Sequence, residues 1–188
     1  LESVRLRPYP LFYDHAWRLD TEALAAAVTA RTRAVIVVSP NNPTGSFLKQ
    51  QELTRLADLC ARRNLALVAD EVFADYALAP DPARVPTLAA FDEVLTFSLS
   101  GLSKIAGLPQ LKLGWIVVGG PPELRHRALE RLELIADTFL SVAAPVQHAL
   151  PRLLEASRSV QQQITARLRA NLDVLAALLR AHPALELL

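Results

Sequence analysis

Ala34-Val35-Ile36-Val37-Val38-Ser39 is a run of small and β-branched apolar residues with no polar alternation, and it passes into Pro40-Asn41-Asn42-Pro43-Thr44-Gly45-Ser46. An apolar run of this length, bounded by turn residues, suits a strand buried on both sides. Leu53, Leu56, Ala57 and Cys60 then recur at helical spacing, which predicts a helix over Lys49 to Arg63 with one apolar face. Leu65-Ala66-Leu67-Val68-Ala69 follows as a second strand, ending at Asp70. Strand, helix and strand make one βαβ unit. The fold class is therefore α/β, a mostly parallel sheet sandwiched by helices.

Working outward, Pro80-Asp81-Pro82 through Pro86 reads as a proline-rich surface loop. Val94-Leu95-Thr96-Phe97-Ser98 is a third strand, and Leu113 to Val118 a fourth, stopped by Gly119-Gly120. Pro121-Pro122-Glu123 opens a helix, with proline where its absent N–H costs nothing. Leu124, Ala128, Leu132, Ile135, Ala136 and Phe139 predict a buried stripe along it. Another helix opens at Pro145, and Val160, Ile164, Leu168, Leu172, Leu175 and Leu179 carry a stripe to about Arg180. The residues from Pro183 to Leu188 read as an element cut off as it begins. There is no internal repeat.

Composition narrows the function classes. At 52% hydrophobic and 21% charged, 188 residues can bury a sizeable core. A net charge of +1 leaves no basic face for nucleic acid. The single cysteine, Cys60, falls on an apolar helical stripe, which makes it a core thiol in a reducing compartment. No apolar run is long enough to span a membrane, and the start is not that of a signal peptide, so the chain reads as soluble and cytoplasmic. The chain lacks methionine altogether, so it is expected to begin inside a longer gene product. Of twenty basic residues only Lys49, Lys104 and Lys112 are lysine, which singles them out.

In an open α/β sheet ligands bind beyond the carboxyl ends of the strands. The unusual polar residues fall there: Asn41-Asn42-Pro43-Thr44-Gly45 after the first strand, Asp70-Glu71 after the second, and Ser98-Leu99-Ser100-Gly101-Leu102-Ser103-Lys104 at the third. From about Arg33 to Gln147 this set resembles the pyridoxal phosphate (PLP) enzymes of the fold-type I, class I/II aminotransferase family. The resembling motifs are an Asn-Pro-x-Gly turn at Asn42-Pro43-Thr44-Gly45, an aspartate at a strand end, Asp70, and a serine-rich turn ending in lysine, Ser98 to Lys104. The fourth is a basic residue eight positions later, Lys112.

The resemblance implies a role for each. Lys104 would be the Schiff-base lysine, since a primary amine condenses with an aldehyde and arginine does not. Displaced by substrate, it would then be the general base. Asp70 would pair with the pyridine nitrogen, and Asn42 would bond the ring's phenolic oxygen, although Asn-Pro-x-Gly is also an ordinary turn. Lys112, with Ser98 or Ser100, would hold the phosphate. Three positions depart from the family pattern: Phe73 stands where a tyrosine is usual, beside the phenolic oxygen, Lys112 where the phosphate-binding residue is often arginine, and Gly101 where a serine is common three residues before the lysine.

The remaining candidates are bland. His15, His126, His148 and His182 have no metal-ligand spacing, so no metal is expected, and Trp17 and Trp115 read as packing residues. The resemblance makes residues 1–155 a partial, PLP-binding large domain, and 156–188 a long connecting helix with the start of a truncated small domain. The implied reaction moves an amino group between an amino acid and a 2-oxo acid, in a homodimer of a longer parent that binds neither nucleic acid nor membrane; the fragment alone is expected to be inactive. The rival readings are a PLP-dependent carbon–sulfur β-lyase and a non-catalytic PLP-sensing domain of a winged-helix regulator.

Overall fold

The computed structural model describes residues 4–139 and 141–187. A two-stranded antiparallel hairpin comes first, β1 (Leu11–Tyr13) with β2 (Trp17–Leu19), turning at His15 in the left-handed region. Helix α1 (Thr21–Ala27) is capped by Asp20, whose carboxylate accepts from the N–H groups of Glu22 and Ala23. The βαβ unit follows: β3 (Ala34–Val38), α2 (Gln50–Arg63) and β4 (Ala66–Asp70). Helix α2 ends at Asn64 in the left-handed conformation that asparagine tolerates. Strand β5 (Thr96–Gly101), the single-turn α3 (Leu102–Ile105), β6 (Gly114–Gly119) and the helices α4 (Pro122–Thr138) and α5 (Ala144–Leu179) complete the order.

The main sheet runs β3-β4-β5-β6. The first two pairings are parallel and the last is antiparallel, so the sheet is mostly parallel as expected. Val38 pairs with Asp70 and Asp70 with Leu99, which brings the carboxyl ends of three strands level. The core lies between α2 and one face of the sheet: Leu53, Leu56, Leu59 and Cys60 pack with Val35, Val37, Leu67 and Ala69. Burial pushes the Cys60 thiol up to about 11, which keeps it protonated and unreactive.

Two expectations about burial are corrected. Strand β3 is not buried on both sides: Ile36, between buried Val35 and Val37, is 50% exposed on the opposite face. The stripe along α4 is likewise open, since Ala128 is its buried residue while Leu124, Ile135 and Phe139 are exposed. Periodicity reports that a face is apolar, not that a partner lies against it. Helix α5 is continuous through residues 155 and 156, and its first turns join Leu102, Ala106 and Leu113 in a second, smaller core through Val146, Leu150, Leu153 and Leu154.

Candidate active site

The loop after β3 is held by its own hydrogen bonds. Asn41 N–H donates to the Ser46 carbonyl at 2.8 Å, Gly45 N–H to the Asn41 carbonyl at 2.7 Å, and Thr44 Oγ1 to Asn41 Oδ1 at 3.0 Å. Gly45 supplies a positive φ of 70°. The base is closed by buried Ser39, whose Oγ accepts from Leu48 N–H at 3.1 Å. Asn42 stands exposed on this fixed frame. It lines a cleft of about 570 Å³ shared with Trp17, Phe47, Phe73, Tyr76 and Arg84. The Arg84 guanidinium lies 4.7 Å from the centre of the Phe47 ring.

Asp70 closes β4, half-buried, and its Oδ1 accepts from Val72 N–H at 3.2 Å. The next residue, Glu71, is a buried group that sequence reasoning passed over. Its oxygens accept from Thr87 Oγ1 and Leu88 N–H, both at 2.6 Å, which ties the loop after β4 to the strand end. Burial raises its carboxyl above the ordinary range, and the two hydrogen bonds pull it partly back. The sequence signal was weak, because a carboxylate next to a strand end reads as solvated.

Lys104 sits on α3, exposed, with its ammonium 5.5 Å from the centre of the Phe73 ring. Tyr76 Oη donates to its backbone carbonyl at 2.6 Å. Lys49, the rival amine, is committed to an ion pair with Asp81, and that hydrogen bond lowers the Asp81 carboxyl below its ordinary value. Lys112 is exposed in the left-handed region just before β6 and has no carboxylate partner among the described residues. Ser98 and Ser100 both carry a buried hydroxyl with no hydrogen-bond partner among the described residues. Buried hydroxyls are almost always satisfied, so two unpartnered ones along one strand call for a polar ligand or ordered water.

The expected residues thus collect at the level ends of β3, β4 and β5, but only some of them share a surface. Asn42 and Phe73 line the cleft, whereas Asp70, Ser98, Ser100, Lys104 and Lys112 lie outside its lining. Phe73 is the link, since its ring faces both the cleft and the Lys104 ammonium. The departure at Gly101 has a steric cause. A Cβ there would come 2.9 Å from the Leu113 carbonyl oxygen and 3.0 Å from Gly114 Cα, both rigid backbone, so a serine does not fit against β6.

The sequence profile described as aminotransferase class I and II matches residues 1–187. The chain belongs to that family. Among class I and II aminotransferases it is 31% identical over 149 residues to the glutamate-pyruvate aminotransferase of Escherichia coli (strain K12), covering 79% of this chain and 36% of that one. The alanine aminotransferase of Mycobacterium tuberculosis (strain ATCC 25618 / H37Rv) is 31% identical over 148 residues, covering 79% and 34%. The chain therefore spans about a third of the length of these curated aminotransferases. Among solved aminotransferases, the tyrosine aminotransferase of Leishmania infantum superposes with a TM-score of 0.77 at 29% identity, over 93% of this chain and 47% of that one.

Among the described residues, none of the helices is long and apolar enough to cross a membrane, and no three His, Cys, Asp or Glu side chains converge as metal ligands.

Proposed function

We propose that this chain carries the lysine-bearing part of a PLP-dependent active site that transfers an amino group between an amino acid and a 2-oxo acid. The observation that carries the reading is the level placement of Asn42, Asp70 and the Lys104 turn at three adjacent strand ends, in a chain of this family. The donor set fits the cofactor: an exposed primary amine at Lys104, a strand-end carboxylate at Asp70, an exposed lysine at Lys112 and the hydroxyls of Ser98 and Ser100, unpartnered among the described residues. When bound, pyridoxal phosphate supplies an aldehyde that condenses with primary amines and a pyridine ring that accepts an electron pair.

Lys104 would hold the cofactor covalently and, once released, move the proton at the substrate Cα. The Asp70 carboxylate would hold a proton on the ring nitrogen. Asn42 would donate to the phenolic oxygen, and Phe73 contributes an apolar ring where no hydroxyl is offered. Lys112 and the two serines would bind the phosphate, the lysine as a point charge. The names of the relatives make glutamate, alanine and pyruvate the substrates to try first. On the same reading the parent polypeptide is a cytoplasmic homodimer, and the apolar residues exposed on α4 and α5 leave surface for such a contact.

Borohydride reduction after incubation with pyridoxal phosphate tests the assignment in the polypeptide that contains this chain. The label is expected on Lys104, with exchange between glutamate and pyruvate lost in Lys104→Arg. Recovery on Lys49 or Lys112, or no label on a folded protein, would overturn it.

A further inference from the structure

Helix α3 is a single turn, so the carbonyls at its end have no successor N–H groups to accept from within a longer helix. Ala106 N–H and Leu108 N–H both return to the Leu102 carbonyl, at 3.1 Å each, and the chain leaves through Gly107 at a φ of 64°. The Lys104 carbonyl is left outside this pattern. It is taken by Tyr76, 28 residues earlier, through a hydrogen bond of 2.6 Å, with the Ile105 carbonyl 3.5 Å from the same hydroxyl. Tyr76 ends the short 3-10 turn Ala74–Tyr76 that follows Asp70, and Phe73, which caps that turn, places its ring 5.5 Å from the Lys104 ammonium. One short segment thus touches the lysine twice: a hydroxyl on its backbone and an aromatic face beneath its charge.

We propose that Tyr76 is a positioning residue for Lys104, its hydroxyl fixing the turn that presents the amine. Burial and the neighbouring Asp75 carboxylate raise the phenol above its ordinary value, so it stays a donor at neutral and moderately basic pH. The bond also couples the strand end that holds Asp70 to the turn that holds Lys104, two groups that must keep a set separation for one ligand to meet both. Small errors in such placement are costly, because a reacting amine must be held at its target rather than search for it. The chemical part of this inference rests on the reading of Lys104 as the cofactor lysine.

Tyr76→Phe removes the hydroxyl and keeps the ring. In the parent polypeptide it should leave the far-UV spectrum and the exchange of core amides in β4 and β5 unchanged, while the Ala106 and Leu108 amides exchange at least about tenfold faster. Borohydride-trapped pyridoxal phosphate should accumulate on Lys104 at least about fivefold more slowly, and reductive methylation of Lys49 and Lys112 should not change. In the active protein the loss should fall on kcat, with the KM for the amino donor little altered. Phe73→Leu should leave the two amides unaffected, which separates the hydroxyl from the ring. Wild-type exchange and wild-type labelling in Tyr76→Phe would overturn the proposal, even if the unfolding midpoint fell. Absence of label on Lys104 in the wild-type protein would instead overturn the cofactor assignment, and the amide exchange would still decide whether Tyr76 fixes the turn.

Discussion

Helix α2 and helix α4 are similar in length and both carry leucines at helical spacing, yet they meet opposite fates. In α2, Leu56 and Cys60 are fully buried and Leu53 and Leu59 nearly so, pressed against the inner face of β3 and β4. Along the α4 stripe, Ile135 is 51% exposed and Phe139, just past the helix end, 72%, and the stripe of α5 is exposed in its later turns at Leu168 and Leu175. The βαβ crossover returns α2 to the sheet it came from, so its stripe has a partner supplied by its own strands. Among the described residues, helix α4 follows an antiparallel edge strand and is not part of a crossover between sheet strands. An apolar stripe stabilises a fold only through the surface that covers it.

The contrast is sharpest in substitution energetics. Leu56→Ala should cost about 3 kcal/mol, the range for deleting a fully buried leucine that leaves a cavity, read as a fall in the denaturant midpoint at constant slope. A cost below about 1 kcal/mol would mean that the core under α2 is looser than its burial implies.

A smaller effect is expected at Glu71, the buried carboxylate of the strand-end region. Its raised pKa means that the folded state holds the proton more tightly than the unfolded chain. Its contribution is therefore fully present below the ordinary value of about 4.5 and declines as pH rises through the raised one. Glu71→Gln keeps an acceptor for the Leu88 N–H and a polar group beside Thr87, so it should change stability by less than about 1 kcal/mol at pH 7. It should also flatten this part of the pH dependence of unfolding. An unchanged slope would show that the carboxylate is already solvated.

The least effect belongs to the open side of the comparison. Ile135→Gln should shift unfolding by less than about 0.5 kcal/mol in the 188-residue chain, as surface changes do. A loss above about 1.5 kcal/mol would show that the α4 face is covered in solution.

The placement of the candidate residues at strand ends is legible in the sequence. Asn42 follows the apolar run of β3, Asp70 ends that of β4 and Lys104 lies on the single helical turn after β5, and an open α/β sheet brings such strand ends to one edge. What escaped was the set of contacts between segments far apart in the chain. Nothing local distinguishes a tyrosine such as Tyr76, which grips a carbonyl 28 residues away, from one on a surface. Glu71 escaped for the same reason. The hairpin of β1 and β2 escaped because three-residue strands carry too little alternation to read.

The sequence by itself determined the α/β class, the order of the four main-sheet strands and of helices α2, α4 and α5 from Ala34 onward, the prolines that open helices, and the scarcity of lysine that made Lys104 conspicuous. These follow from local stereochemistry and from the period of apolar residues, which act over a few residues at a time. Tertiary structure alone decided which stripes are covered, that Ile36 faces outward, that no side chain fits at position 101, and that Tyr76 holds the Lys104 turn. Those outcomes depend on the approach of groups distant in sequence. Burial and hydrogen bonding act between whatever surfaces meet, and only the folded chain fixes which ones do.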